Sequence, residues 1–404
     1  MKRYRYVIVG GSSAGIAAAR AIRSCDATGE ILLVHGERCP PYKRTQLSKQ
    51  LSEGFPGKTL SLYPQEWYSE NRIELLQGTR ALSLAPSSRE VFLDSGDVVG
   101  YESLLLSTGA QPIKLDIPGS NHVHYLRSLD EAVMIADTLL GIRSAVSIGF
   151  GVQGVEIADQ FAAAGSETTL IGRQERIMDG YLDAEASRRL EARISASGVR
   201  LLRGVTVREV RRQGGSHRIM TEGAEAAAQM VSASVGAAPL LDLAASAGIP
   251  LAANGGGMKV DGRMETEIEG VYAAGDAAAP LPGASWGLWH AAEASGMTAG
   301  VNMAGGDFHP EQKPFRMKCE AFGGYLFSLN YCGASLDEAA QAVVLRNSPN
   351  LYLKVWEREG RSIAAILDAY PNPGQTRVKA IGKQLQRLIW GGTETRDITE
   401  ALGV

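Results

Sequence analysis

The chain has 404 residues, 45% of them apolar and 21% charged, with 47 glycines and a formal net charge of −3. That length exceeds one ordinary core and implies two or three domains, and the near-neutral balance points to neither nucleic acid nor a membrane surface as partner. Four cysteines (Cys25, Cys39, Cys319 and Cys332) form no CxxC pair and no zinc spacing, which fits a reducing, cytoplasmic setting.

In chain order, residues 6–9 (YVIV) form a short apolar strand that leaves no room for a leader peptide. No apolar run approaches the ~18 residues of a membrane span. Residues 16–22 read as an Ala-rich helix, and the turn between strand and helix carries Gly10, Ser12, Ser13, Ala14 and Gly15. The spacing is that of a Gly-x-Gly-x-x-Gly dinucleotide turn with serine at its middle position, and by itself is equally that of a tight strand-to-helix turn. A ribose-binding carboxylate belongs about 20 residues past the last turn glycine. There, after ILLV, the sequence is His35-Gly36-Glu37, so Gly36 takes the acidic position and Glu37 is the substitute.

LLLSTGAQP (104–112) is a strand ending in Thr108 and Gly109, and Pro112 and Pro118 mark an outward crossing. His122 and His124 read as a surface loop without a third metal ligand. AVSIGFGVQGVEIADQFAAAG (145–165) has full spacing at Gly149, Gly151 and Gly154. The first glycine allows the turn, the second lets backbone approach a pyrophosphate, and the third packs helix on strand. The helix beginning near Val152 then offers free N–H groups and a positive dipole end to phosphates. After TTLI (168–171) come Gly172, Arg173 and Arg176. Loss of an acid and gain of arginine suits a 2′-phosphate, so the balance leans to NADPH over NADH.

SVGAAPLLDLA (234–244), with Gly236, is a return crossing, and TEIEGVYAAGDAA (266–278) is a strand ending in Gly275-Asp276. A carboxylate at 276 can accept a hydrogen bond from a ribityl hydroxyl while Gly275 admits a flavin phosphate. Beyond 312, AFGGYLFSLN, NLYLKVWERE and RSIAAILDAY read as strands. SLDEAAQAVV (335–344) reads as a helix, with Asp337 and Glu338 in its first turn, as does TRVKAIGKQLQRLIW (376–390).

Taken together, these turns resemble the FAD- and NAD(P)-dependent pyridine nucleotide oxidoreductases, the glutathione-reductase-like superfamily. PPYKRTQLSKQL (40–51) is similar to a segment of rubredoxin reductases, oxygenase-coupled ferredoxin reductases, apoptosis-inducing factor and the flavin part of nitrite reductases. The resemblance implies an α/β chain with two nested Rossmann-like domains. The FAD domain would span 1–112 and 237–309, the NAD(P) domain 113–236, and a C-terminal α+β domain 312–404. It implies FAD over Gly10–Gly15, and Lys49 paired with Glu156 beside the reactive flavin edge. Arg44 and Arg127 would lie near the flavin and its phosphates. Trp289, or alternatively Trp286, would flank the rings. The second turn would take NADH or NADPH.

Relatives that reduce disulfides carry a cysteine where this chain has Tyr42-Lys43-Arg44-Thr45. A disulfide substrate is therefore disfavoured, and a small iron–sulfur or rubredoxin-type acceptor, or a larger redox complex, is favoured. The alternatives are an electron-transfer subunit of such a complex, or a redox-sensing FAD/NAD-binding protein. A homodimer is compatible with either.

Overall fold

The structure, a computed structural model, describes residues 1–55, 60–279, 287–309, 315–331, 336, 339–372 and 375–402, leaving aside the side chains of 254, 375–379, 396 and 399. It is an α/β protein whose chain divides into two compact units.

The first unit comprises Met1–Gln46, Gly57–Pro112 and Ala237–Lys313. Its sheet runs in the order Ile73–Gln77, Ile31–His35, Lys2–Val9, Val98–Leu106, Glu90–Leu93, Ala81–Ala85, with Val271–Ala273 also on Val98–Leu106. The strands around Lys2–Val9 are parallel, and Ile8, Leu32, Leu33 and Leu105 are fully buried, so these segments read as continuous apolar runs. The Ala-rich sequence of helix Ser13–Cys25 has a packing reason. Helix Trp289–Met303 crosses it so closely that a Cβ on Gly296 would fall 2.1 Å from the Ala14 carbonyl oxygen, and one on Gly300 2.4 Å from that of Ala18. Only small residues allow that approach, and the contact fixes the N-terminus of Ser13–Cys25 at the first glycine turn.

The second unit comprises Leu47–Pro56, Ile113–Gly236 and Pro314–Val404. A four-stranded parallel sheet, in the order Arg200–Leu202, Glu167–Ile171, Ser144–Ile148, Met230–Ala233, carries the second glycine turn and helix Val152–Ala163. An antiparallel three-stranded sheet (Val207–Gln213, Ser216–Thr221, Glu225–Ala228) accompanies it. A five-stranded antiparallel sheet follows in the order Arg316–Ala321, Gly324–Leu329, Arg361–Ala369, Leu351–Arg358, Gln341–Ser348. Asp368 of that sheet, wholly buried, receives Arg189 and Arg193 of helix Ala184–Ala196 at 2.8 Å each. Such a pair is costly to break from one side, because the remaining charge would be stranded.

One expected element is different. Residues 341–344, read as part of a helix over 335–344, belong to strand Gln341–Ser348, with Val343 opposite Val355 and Gln341 opposite Glu357. Val343 and Leu345 pack inward while Val344 between them is exposed, a period of two that the short Ala-rich window disguised. Asp337 and Glu338 lie outside the described residues, as does Cys332. The helix over 376–390 is present as Gln375–Trp390, burying Leu385 and Ile389. No helix among the described residues is long and apolar enough to cross a membrane.

Candidate functional site

In the first unit, Gly10 has φ +111°, and a Cβ there would stand 2.1 Å from the Ser107 carbonyl oxygen. A Cβ on Gly15 would stand 2.0 Å from the Gly10 carbonyl oxygen. Neither position admits a side chain. Ser12 is different: as the N-cap it has φ −103° and ψ −159°, extended backbone that any residue adopts, which is why serine replaces glycine there. Its side chain makes no capping hydrogen bond, so the first-turn amides of Ser13, Ala14 and Gly15 are left at the positive end of the helix for an anion. Gly275 (φ +70°) comes within reach of Ala14, with a Cβ there 3.1 Å from that of Ala14, and its N–H donates to Ser295 Oγ at 3.0 Å. Asp276 follows, half-buried. Thr108 is used structurally: its hydroxyl donates to the Leu240 carbonyl at 3.0 Å, while the Gly109 carbonyl accepts from Leu240 N–H at 2.9 Å.

Glu37 and Arg44 are brought together. Arg44 Nη2 meets Glu37 Oε1 at 2.7 Å, and the Tyr42 hydroxyl donates to Glu37 Oε2 at 2.8 Å. Burial pushes the Glu37 carboxyl up, but the Arg44 guanidinium and these hydrogen bonds outweigh it and hold it below the usual carboxylate range. Beside them the buried His35 ring lies against Gly11, where a Cβ would come 2.8 Å from Nδ1.

The second turn repeats the first. Gly149 has φ +123°, and a Cβ would fall 2.2 Å from the Ser234 carbonyl oxygen; one on Gly154 would fall 2.1 Å from that of Gly149. At Gly151, the N-cap before Val152, φ is −77° and nothing lies within 4 Å of a Cβ. Neither packing nor backbone demands glycine there. Bare backbone facing open space at a helix N-terminus fits the approach of a pyrophosphate. Gly236 (φ +129°) accepts from Ile113 N–H at 3.0 Å. Arg173 is exposed and Arg176 is ion-paired with Asp179. Arg127 is half-buried, its backbone N–H donating to Glu131 Oε2 at 2.8 Å.

Lys49 and Glu156 meet within the second unit. Lys49 Nζ is 3.4 Å from Glu156 Oε1, and Ser48 Oγ donates to Glu156 Oε2 at 2.5 Å. Burial pushes the Glu156 carboxyl above the usual range, against the opposing pull of Lys49 and Ser48. Burial lowers Lys49, yet the neighbouring Glu156 and Glu320 outweigh it and raise it above the ordinary lysine range. Trp289 is the half-buried first residue of its helix. Trp286 lies outside the described residues. Sequence reasoning missed Ser48 and Phe150, whose ring lies over Gly172. Serine in "LSK" and an aromatic inside a glycine turn carry no local signal of these contacts.

A family model described as pyridine nucleotide-disulphide oxidoreductase matches residues 4–296. Over 277 residues the chain is 31% identical to a rubredoxin–NAD(+) reductase of Pseudomonas putida, covering 67% of this chain and 71% of that one. It is 30% identical, over 285 residues and 70% of each chain, to the ferredoxin–NAD(+) reductase component of the p-cumate 2,3-dioxygenase system of Pseudomonas putida. Among solved structures, a ferredoxin reductase from Rhodopseudomonas palustris superposes with a TM-score of 0.85 at 25% identity, covering 98% of this chain and 99% of that one.

Proposed function

The chain belongs to the pyridine nucleotide-disulphide oxidoreductase family, and from that premise we propose that it is an FAD-dependent NAD(P)H reductase. Its acceptor is a small redox protein of the rubredoxin or iron–sulfur ferredoxin kind, by analogy with the named relatives. The observation that carries the reading is the pair of glycine turns, each with its outer glycines forced by backbone contact at 2.0–2.2 Å.

The amides of Ser13, Ala14 and Gly15 hold the FAD pyrophosphate, Gly275 gives it room, and Asp276 accepts from the ribityl chain. Gly149, Gly151, Val152 and Gly154 hold the nicotinamide nucleotide in the same manner. Bound flavin supplies two-electron uptake from a nicotinamide and one-electron release. The chain itself contributes orientation and charge. Lys49, paired with the buried Glu156, provides a positive charge that favours an anionic reduced ring; Ser48 and Lys49 oppose the burial that raises the Glu156 carboxyl.

The nucleotide loop presents Arg173 and no carboxylate at 172, which favours use of NADPH at least as well as NADH. Losing the Arg173 contact costs about 1.5–3 kcal/mol of NADPH binding, as for hydrogen bonds to charged groups.

The test begins with the purified protein reconstituted with FAD, followed by stopped-flow reduction with each nucleotide. A yellow protein reduced by NADPH at least as fast as by NADH is expected. A protein that takes up no FAD sinks the reading, and a strong preference for NADH refutes the nucleotide assignment.

A further inference from the structure

We propose that Phe150 is a specificity-determining residue of the nicotinamide site. Its ring occupies the space a side chain at 172 would need, so position 172 offers the adenosine ribose no carboxylate and the first side chain of the loop after strand Glu167–Ile171 is the cation Arg173. The proposal rests on the reading of the second glycine turn as the nicotinamide site.

A Cβ built on Gly172 falls 2.2 Å from Phe150 Cγ and 2.3 and 2.4 Å from its two Cδ atoms. These are the atoms at the root of the ring, which cannot swing aside as a flexible side-chain tip does. The ring is 2% exposed, in a cluster with Val155, Ile177 and Met178, and the Phe150 carbonyl accepts from Met178 N–H at 2.9 Å. Gly172 cannot retreat either: its N–H donates to the Leu202 carbonyl at 2.9 Å and its carbonyl accepts from Val205 N–H at 3.1 Å. Its φ lies outside the left-handed region, so backbone freedom does not explain glycine there; the ring does.

The end of this strand is where a dinucleotide fold places the acid that recognises an unphosphorylated ribose, or an arginine for a 2′-phosphate. Here Arg173 follows at once, exposed and with no hydrogen bond or ion pair among the described residues, whereas Arg176 is already paired with Asp179. At the corresponding place in the first turn the arrangement is reversed. Gly11 occupies the turn and the ring comes from the strand end, as His35, while a Cβ on Gly36 would meet only the flexible Arg80 side chain, at 3.3 Å. By strand register His35 is the counterpart of Gly172 and Gly36 that of Arg173, so the first fold carries its ring at the strand end where the second carries glycine.

The test is calorimetric titration of the oxidised FAD-loaded protein with NADP+ and NAD+, so that no turnover is involved, with thermal melts alongside. Variants are Gly172→Glu, Phe150→Ala and the two combined, with Phe150→Val replacing Phe150→Ala if the latter fails to fold. Gly172→Glu alone is expected to melt lower and to lose NADP+ binding without gaining NAD+. The double variant should bind NAD+ at least about tenfold more tightly than Phe150→Ala, the gain of a charged hydrogen bond to the ribose. Gly172→Glu gaining NAD+ tenfold at the parental melting temperature overturns the proposal. So does a folded double variant that binds NAD+ no better than the Phe150 variant. A parent that prefers NAD+ sinks the NADPH assignment while the coupling of positions 150 and 172 stands. A parent that binds neither nucleotide overturns the site reading and this proposal together.

Discussion

Glu156 is 5% exposed, and two side chains, Lys49 and Ser48, oppose the burial that pushes its carboxyl up. A carboxyl whose folded value is raised binds its proton more tightly in the folded state. Its contribution to stability is therefore complete below the unfolded value and is lost as pH rises through the folded one. Lys49→Met removes the opposing charge and drives the carboxyl higher still. The variant is expected to be about 2 kcal/mol less stable than the parent at pH 8, less than for a fully buried pair because Lys49 is part-exposed, with the gap narrowing at pH 5. Glu156→Gln added to Lys49→Met should recover much of the loss. Denaturant melts at the two pH values decide it; a gap independent of pH would mean that Glu156 does not respond to Lys49. Lys49 and Glu156 were both legible, because a family segment and a glycine turn flag them. Ser48 was not, since its hydroxyl finds Glu156 across 108 residues of chain, a contact made only by folding. Phe150 was hidden for the same reason.

The two glycine turns separate folding from binding within one element. At Gly149 an added methyl meets both φ +123° and a carbonyl oxygen 2.2 Å away; at Gly151 it meets nothing within 4 Å and an ordinary φ of −77°. Gly149→Ala is expected to cost about 2–5 kcal/mol from backbone strain and overpacking together. Gly151→Ala should cost no more than about 1 kcal/mol, the scale of an N-cap change, yet weaken nicotinamide nucleotide binding by roughly tenfold or more, because its methyl stands where phosphate approaches. Melting curves and calorimetric titration of both variants check this, and equal melting losses would put packing, rather than ligand, at Gly151. The strand–turn–helix units were readable because their glycines, apolar strands and Ala-rich helix all have one local cause. The strand Gln341–Ser348 was not, since AAQAVV satisfies helix propensity and only pairing to Leu351–Arg358 selects the extended state.

At the scale of the whole molecule, a net charge of −3 on 404 residues offers little overall field, so attraction of an acidic electron carrier has to come from a local basic surface. Helix Gln375–Trp390 presents one. Leu385 and Ile389 are buried against the five-stranded sheet, while Lys383 and Arg387 are exposed; the side chains of Arg377 and Lys379 lie outside the described residues. Weak redox encounters use small interfaces in which charge governs the rate of meeting more than the final affinity. If this face guides the acceptor, acceptor reduction should fall steeply as salt rises past the ~8 Å screening length of physiological ionic strength. Reduction of the flavin by the nicotinamide, which needs no such encounter, should change little. Lys383→Glu combined with Arg387→Glu should lower the acceptor on-rate by about tenfold and flatten its salt dependence. Both residues are exposed and away from the helix's buried face, so the variant should melt like the parent, and the rate change can be assigned to steering. A reversed variant with the parental salt profile would leave this helix as ordinary surface and move the docking face elsewhere on the molecule.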